Sequence, residues 1–429
     1  MANEYYLGID FGTSNSSVAL LPKGESNMFP VSDATVLPLG KNGSTTIPSF
    51  LFFPQDGGKY YLGDEAIEHY MSDKAQGRFM QSIKTLLPDT SFNSTFIDGW
   101  GRHTIEDLVF CILSAIKHKI ELIIDQNIAG VVLGRPAIFS EDDDEEKIAE
   151  QRLLKAAKRA GFEHVRFQRE PIAAALTYKH SLGKPELVFV GDFGGGTSDF
   201  TVIRLSPYRV GDIDYDDNIL AVNGISIAGD TFNSAIMRHQ LLKYFGYDAH
   251  YKVHGEKKWL NVPTAIHYEL CEWHKISFLK GGRYLALIGK MIHQSDDKQG
   301  FMRLQALVEE NLGYPLFQSI QEAKCLLSSD QTSRVKFNRS IININEEITR
   351  KSFEDIIEEY IGKLGLCIDR TLATADINAR DVDAVFLTGG TSQTPRIRRL
   401  MAEKFGEEKL RQGDAFTSVA EGLALSAPY

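Results

Sequence analysis

Two short stretches of this chain place a carboxylate beside a glycine turn in nearly the same way. Asp10-Phe11-Gly12-Thr13-Ser14-Asn15 lies between apolar runs at 5–9 and 17–21. Asp192-Phe193-Gly194-Gly195-Gly196-Thr197-Ser198-Asp199 lies between similar runs at 186–190 and 200–205. Each reads as a strand, a tight turn and a return strand, with glycine supplying backbone freedom. Successive backbone N–H groups in such turns form concavities that hold phosphate oxygens. The hydroxyls of Thr13, Ser14, Thr197 and Ser198 add donors. Asp10, Asp192 and Asp199 would repel phosphate unless a hard cation such as Mg²⁺ stands between them, through waters. A plain glycine turn with a solvated aspartate would account for either hairpin alone. The repetition argues against it, as does a third turn, Thr388-Gly389-Gly390-Thr391-Ser392, after a strand at 382–387. Neither a G-x-x-x-x-G-K-[ST] loop nor a G-x-G-x-x-G fingerprint is present, so the phosphate site is of another kind.

The elements that must position these groups alternate between strand and helix, an α/β pattern. Residues 105–124 carry Leu108, Ile112, Ala115, Ile116, Ile120 and Ile123 at helical spacing, 131–133 read as a buried strand, and 145–161 as an amphipathic helix ending at Gly161. Helical patterns fill 265–328, 352–376 and 418–426, and another begins near Pro395. The return of the opening pattern at Asp192 indicates an internal duplication: two similar lobes with a cleft between them, a common place for a ligand.

The length of 429 residues suggests two to four folding units. Hydrophobic residues make up 43%, which excludes collagen-like, low-complexity and mostly disordered classes. A net charge of −10 argues against a general binder of nucleic acid or anionic membrane. The cysteines Cys111, Cys271, Cys325 and Cys367 are isolated, which speaks against structural zinc and disulfide frameworks and for a reduced, cytoplasmic setting. The N-terminus shows no secretory signal. The most apolar stretch, 108–116, is followed by Lys117 and falls short of the roughly 20 residues a span needs.

In these motifs the chain resembles the actin-like ATPase superfamily, and within it the nucleotide-binding domain of the heat-shock protein 70 (DnaK) family. Residues 7–15 resemble that family's first phosphate motif and 192–199 its second. Arg169-Glu170-Pro171-Ile172-Ala173-Ala174-Ala175 resembles its asparagine-glutamate-proline segment, with Arg169 in place of the asparagine. Residues 157–162, 348–354 and 387–395 match further segments in order, and the chain is most similar to the stand-alone YegD-type chaperone relatives. The resemblance implies two duplicated, ribonuclease-H-like lobes around a central nucleotide cleft. They would cover 1–187 and 188–411, with inserted subdomains at about 36–103 and 229–347 and a helix in 412–429 returning to the first lobe. It also implies ATP/ADP and Mg²⁺ as cofactors, and slow hydrolysis coupled to lobe closure and read by a partner or client protein.

Roles for single positions follow from the same likeness. Asp10, Asp192 and Asp199 would hold the hydrated Mg²⁺. Gly12, Thr13, Ser14, Asn15 and Gly194, Gly195, Gly196 and Thr197 would contact phosphates. Lys84 would be the catalytic lysine near the γ-phosphate, with Glu170, Asp192 and Thr197 completing the catalytic set. Gly229, Lys324, Ser328, Gly389, Gly390, Thr391 and Gln393 would line the nucleoside. Pro136 resembles a proline that relays nucleotide state between lobes. The plain alternatives are a surface lysine for Lys84 and an ion pair at a helix start for Glu170.

Departures fall on the base side. Cys325 replaces the family's adenine-stacking arginine, Gln321 stands at its first acidic position unless the register slips to Glu322, Gln393 replaces another arginine, and 415–418 lack the expected acid. Weakened or altered base affinity is therefore expected. No peptide-binding β-sandwich is visible within these residues, which disfavours autonomous peptide clamping. Filament formation, small-molecule phosphorylation and nucleotide sensing without turnover remain as alternative functions.

Other signals carry less. The acidic run 141–146 reads as a solvated first helical turn capped by Ser140. His250 and His254 lack the context of a metal helix, and Lys252, Lys257 and Lys258 read as a solvated face. Trp259, Trp273 and Phe278 are expected in a helical region, in a core or at an interface.

Overall fold

The computed structural model describes residues 5–22, 34–72, 76–126, 128, 130–140, 142–179, 182–207, 219–252, 258–411 and 418–427. His254, Lys257 and residues 415–417 lie outside them, as does the side chain of Phe278. The chain divides into two compact units. One is Met1–Ala228 with Lys363–Ser392 and Ile397–Tyr429; the other is Gly229–Gly362 with Gln393–Arg396.

The first unit contains the same sheet twice. In one copy, Tyr5–Phe11 pairs antiparallel with Asn15–Pro22, which pairs antiparallel with Thr35–Val36. On its other side Tyr5–Phe11 pairs parallel with Gly130–Arg135, and that strand pairs parallel with His164–Arg169. In the second copy, Glu186–Phe193, Ser198–Leu205 and Ile219–Ile225 repeat the antiparallel run, and Ala384–Thr388 and Leu410–Arg411 repeat the parallel one. The registers coincide at the turns: Asp10 faces Ser17 and Phe11 faces Ser16, as Asp192 faces Asp199 and Phe193 faces Ser198.

Both hairpins run further than the apolar pattern suggests, because Phe11 and Phe193 are fully buried and hold the ladder to the edge of the turn. The aspartates therefore belong to strand ends rather than to the turns. Gly12 is required by space rather than by a left-handed φ: a Cβ there would lie 2.1 Å from the Asn15 carbonyl oxygen.

Helices flank these sheets. Ile105–Ile124 opens on a Thr104–Asp107 capping box. It buries Leu108, Ile112, Ile116 and Ile120, whereas Ile123 in its last turn is exposed. Asp143–Arg159 is capped by Asp142, not Ser140: the Asp142 carboxylate accepts from the N–H groups of Asp144 and Glu145. Gly161 follows that helix at φ +91°.

A short helix, Glu170–Lys179, is wedged between the two sheets. Its Ile172, Ala175 and Leu176 pack with Val188, Val190 and Ile203 of the second sheet. Its Ala173 and Ala174 pack with Val132 of the first sheet and with Val419 and Leu423 of the Ser418–Ser426 helix. Among the described residues no helix is long and apolar enough to cross a membrane.

The second unit is mainly helical, the stretch expected as one long helical region being broken into Thr264–Leu270, Trp273–Ile276, Gly282–Gln294, Lys298–Glu309 and Gly313–Leu326. A hairpin, Thr332–Arg339 with Ile342–Thr349, alternates buried and exposed residues with period two. Trp259 departs from expectation. It lies on a short strand, Trp259–Asn261, paired with His250–Lys252, and is 45% exposed with Lys252 Nζ 4.5 Å above its ring. Trp273 does lie in a helix, edge-on to Tyr314.

Candidate functional site

The two hairpin turns come together in the first unit. A methyl group placed on Gly196 would lie 3.4 Å from Thr13 Cγ2, an ordinary van der Waals contact. The third turn closes against the second hairpin. Gly389 has φ +75°, and a Cβ there would lie 2.3 Å from the Phe193 carbonyl oxygen and 2.8 Å from Asp192 Oδ1. Thr391 Oγ1 donates to the Gly194 carbonyl at 2.7 Å, and Ser392 Oγ to that of Gly389 at 2.6 Å. The Thr197 hydroxyl donates to Asp199 at 2.9 Å, so here it orients a carboxylate.

Lys84 enters from a single 3₁₀ turn, Ile83–Leu86, preceded by Ser82 in the left-handed region at φ +54°. It is buried, which removes the surface-lysine alternative, and its Nζ donates to Glu170 Oε1 at 2.6 Å. Glu170 is buried at the start of the wedged helix. Gly134 makes room for it, since a Cβ there would lie 3.2 Å from Glu170 Oε1.

The electrostatics are unbalanced. Among the described residues four carboxylates, those of Asp10, Asp192, Asp199 and Glu170, face the ammonium of Lys84. Burial, then the charge of Glu170, pushes Asp10 up to about 8. Burial and Glu170 push Asp192 to about 6; burial and Asp192 push Asp199 to about 7. Lys84 is disfavoured by burial, yet Glu170, Asp10 and Asp192 together raise it above the ordinary lysine value. Such a surplus of negative charge suits a divalent cation. Among the described residues no three acidic, His or Cys side chains converge to chelate one directly, so the donor set fits an ion that keeps its waters.

A pH dependence follows. In the fold each of the three aspartates takes its proton at a higher pH than the ordinary 3.8. Between about pH 4 and 8 these three groups thus hold more protons in the folded chain than in the unfolded one, and their contribution to stability falls as pH rises. In ion-free buffer the thermal midpoint should drop across this window, and less steeply in Asp10→Asn. An equal slope in the variant would contradict the assignment.

The acidic run 141–146 is more than a solvated turn. Glu146 pairs with Arg135 and accepts from the N–H groups of Phe139 (2.6 Å) and Ser140 (3.2 Å), and Glu150 also pairs with Arg135 at 2.6 Å. These bonds hold the chain around Pro136 to the Asp143–Arg159 helix. A run of acids in sequence does not by itself show that a lone arginine 11 residues earlier will meet it.

The second unit carries a separate cluster. Lys324 is buried and its Nζ donates to the Gly229 carbonyl at 2.9 Å; burial lowers its pKa to about 8, against the opposing pull of Asp230. Asn233 Nδ2 donates to Gln321 Oε1 at 2.9 Å, and Gln321 Nε2 donates to the exposed Cys325 Sγ at 3.3 Å. Glu322 is exposed, so Gln321, not Glu322, faces this cluster. Ser328 follows the end of the Gly313–Leu326 helix, its N–H donating to the Cys325 carbonyl, and Gln393 is exposed.

Two sheets that share one five-strand order, the first with an added short strand Thr46–Pro48, and that carry paired Asp–Gly hairpins at the strand ends, have the architecture of the actin-like ATPases. Within that class the chain belongs to the Hsp70 family: the family model, Hsp70 protein, matches residues 89–261 and 303–428. The chain is 26% identical over 439 residues to the chaperone protein HscA homolog of Aliivibrio salmonicida, covering 98% of this chain and 57% of that protein. It is 25% identical over 432 residues to the chaperone protein DnaK of Halobacterium salinarum (99% and 56%) and 25% over 437 residues to that of Thermosipho africanus (100% and 60%). The chain thus spans less than two thirds of the length of these relatives.

Proposed function

We propose that this chain is the nucleotide-dependent part of a chaperone-type ATPase, hydrolysing ATP slowly to ADP and phosphate. The observation that carries this reading is the meeting of the two Asp–Gly turns beside a buried Lys84–Glu170 pair. Backbone N–H groups of residues 12–15 and 195–197 would cradle the phosphates, the Gly194 N–H being taken by the Thr197 carbonyl at 3.0 Å, which closes the turn. Asp10, Asp192 and Asp199 would hold a hydrated Mg²⁺, which when bound supplies charge neutralisation to the polyphosphate. Lys84 neutralises charge on the transferring phosphoryl group, and Glu170 orients the attacking water. Catalysis of this kind is positioning plus electrostatics, and the Glu170–Lys179 helix, packed on both sheets, ties the position of Glu170 to how the two sheets sit. The nucleotide state would thereby shift lobe closure, to be read by a partner or client protein. Lys324, Gly229, Ser328, Gly389, Gly390 and Gln393 would meet the nucleoside, with base affinity weakened by Cys325 and Gln321.

The test is phosphate release from ATP and Mg²⁺ by the wild type, Asp10→Asn and Asp192→Asn. Release that falls steeply in both variants supports the reading. Full nucleotide affinity and turnover in both would remove it, and phosphate recovered on a sugar or acid instead of free would indicate a kinase.

A further inference from the structure

The turn that carries Lys84 is a single one. Backbone bonds run from the Thr85 N–H to the Ser82 carbonyl (3.1 Å), from the Leu87 N–H to the Lys84 carbonyl (3.2 Å) and from the Asp89 N–H to the Leu86 carbonyl (3.3 Å), and no longer helix follows to receive the carbonyls at its end. They are taken up by Arg152, which projects from the Asp143–Arg159 helix. Its Nη1 donates to the carbonyls of Leu86 (3.4 Å), Leu87 (2.8 Å) and Asp89 (2.9 Å), and its Nη2 to that of Phe92 (3.2 Å). The chain is curled so that these carbonyls converge, because the Asp89 carboxylate accepts from the N–H groups of Ser91 and Phe92 and from the Ser91 hydroxyl. Ile83 and Leu87 are buried beneath. A planar guanidinium fork can serve four carbonyls at once; an ammonium on a flexible stem cannot hold them in one plane.

We propose that Arg152 is a positioning residue for Lys84, fixing the turn so that the ammonium stands in the cluster of Glu170, Asp10 and Asp192. The inference rests on the reading of Lys84 as the cation at the transferring phosphate. The hydrogen bonds of Arg152 go to backbone carbonyls and its charge acts on the Asp89 carboxylate, none of them a group of the Lys84 cluster, so its effect on the reaction passes through Lys84. Loosening the turn moves the ammonium by a fraction of its own reach, and displacements near 1 Å cost about a hundredfold in rate.

The experiment measures single-turnover phosphate release and ADP affinity for Arg152→Met and Arg152→Lys, in the wild-type and Lys84→Ala backgrounds. Arg152→Met should slow turnover by about ten- to a hundredfold with ADP affinity kept, and Arg152→Lys should recover part of the loss. In the Lys84→Ala background Arg152→Met should add nothing. Equal losses in both backgrounds would mean that Arg152 only stabilises the fold, and would overturn the proposal. So would unchanged turnover in Arg152→Met while Lys84→Ala is impaired. Unchanged turnover in Lys84→Ala alone would instead remove the reading of Lys84 on which the proposal stands. Arg152→Lys keeps the charge and most of the packing, and carries the same comparison if the methionine variant does not fold.

Discussion

Lys84→Ala should slow ATP hydrolysis by about 10²–10³-fold at saturating nucleotide, the loss typical of removing one preorganised electrostatic group from a shielded site. The ammonium is held 2.6 Å from Glu170 and is raised in pKa by three carboxylates, so it is charged throughout the physiological range. Removing it takes away the ammonium that faces Asp10, Asp192, Asp199 and Glu170. The protein should remain folded, because Asp10, Asp192 and Asp199 are pushed up to about 8, 6 and 7 and can take up a further proton. Lys84→Ala/Glu170→Gln should be more stable than Lys84→Ala, since the unpaired buried acid is then gone. Rapid-mix phosphate release reads the first effect and thermal melts the second. Wild-type turnover in Lys84→Ala, with nucleotide bound, would place the lysine outside the chemistry.

Gly422→Leu should lower stability by about 3 kcal/mol, the upper end for forcing extra atoms into a packed core. A Cβ at residue 422 would lie 1.9 Å from the Ala173 carbonyl oxygen, which is backbone and cannot swing away. The same helix presses on the first sheet through Gly8, where a Cβ would lie 2.4 Å from the Ala424 nitrogen. Two glycines thus let the Ser418–Ser426 helix lie against both the wedged Glu170–Lys179 helix and the Tyr5–Phe11 strand. Because Glu170 begins the wedged helix, the variant should also lose turnover beyond its loss of folded protein. Denaturant unfolding measures the stability change, and phosphate release corrected for the folded fraction measures the second effect. A midpoint equal to the wild type would show that the helix is not pinned at this point.

The lesson of these two residues differs. Lys84 was visible in sequence as one lysine among many, singled out only by likeness to a family motif; its burial and its partner 86 residues away came from the fold. Gly422 gave no signal at all, since nothing in a run of small helical residues says which one meets another backbone. Arg152 was equally silent, because its four partners are carbonyls, which every residue possesses.

What the chain's residues determined alone was the repeated strand–turn–strand unit. Apolar runs flank a glycine turn, and the aspartates lie two positions before the turn glycines in both copies. These are local consequences of side-chain size and backbone sterics, so they are legible in a few neighbouring letters. Which carboxylates would share one ammonium was decided only by the packing of the two sheets on a common helix. Charge and burial act through space, and a group's neighbours in space are set by that packing rather than by its place along the chain.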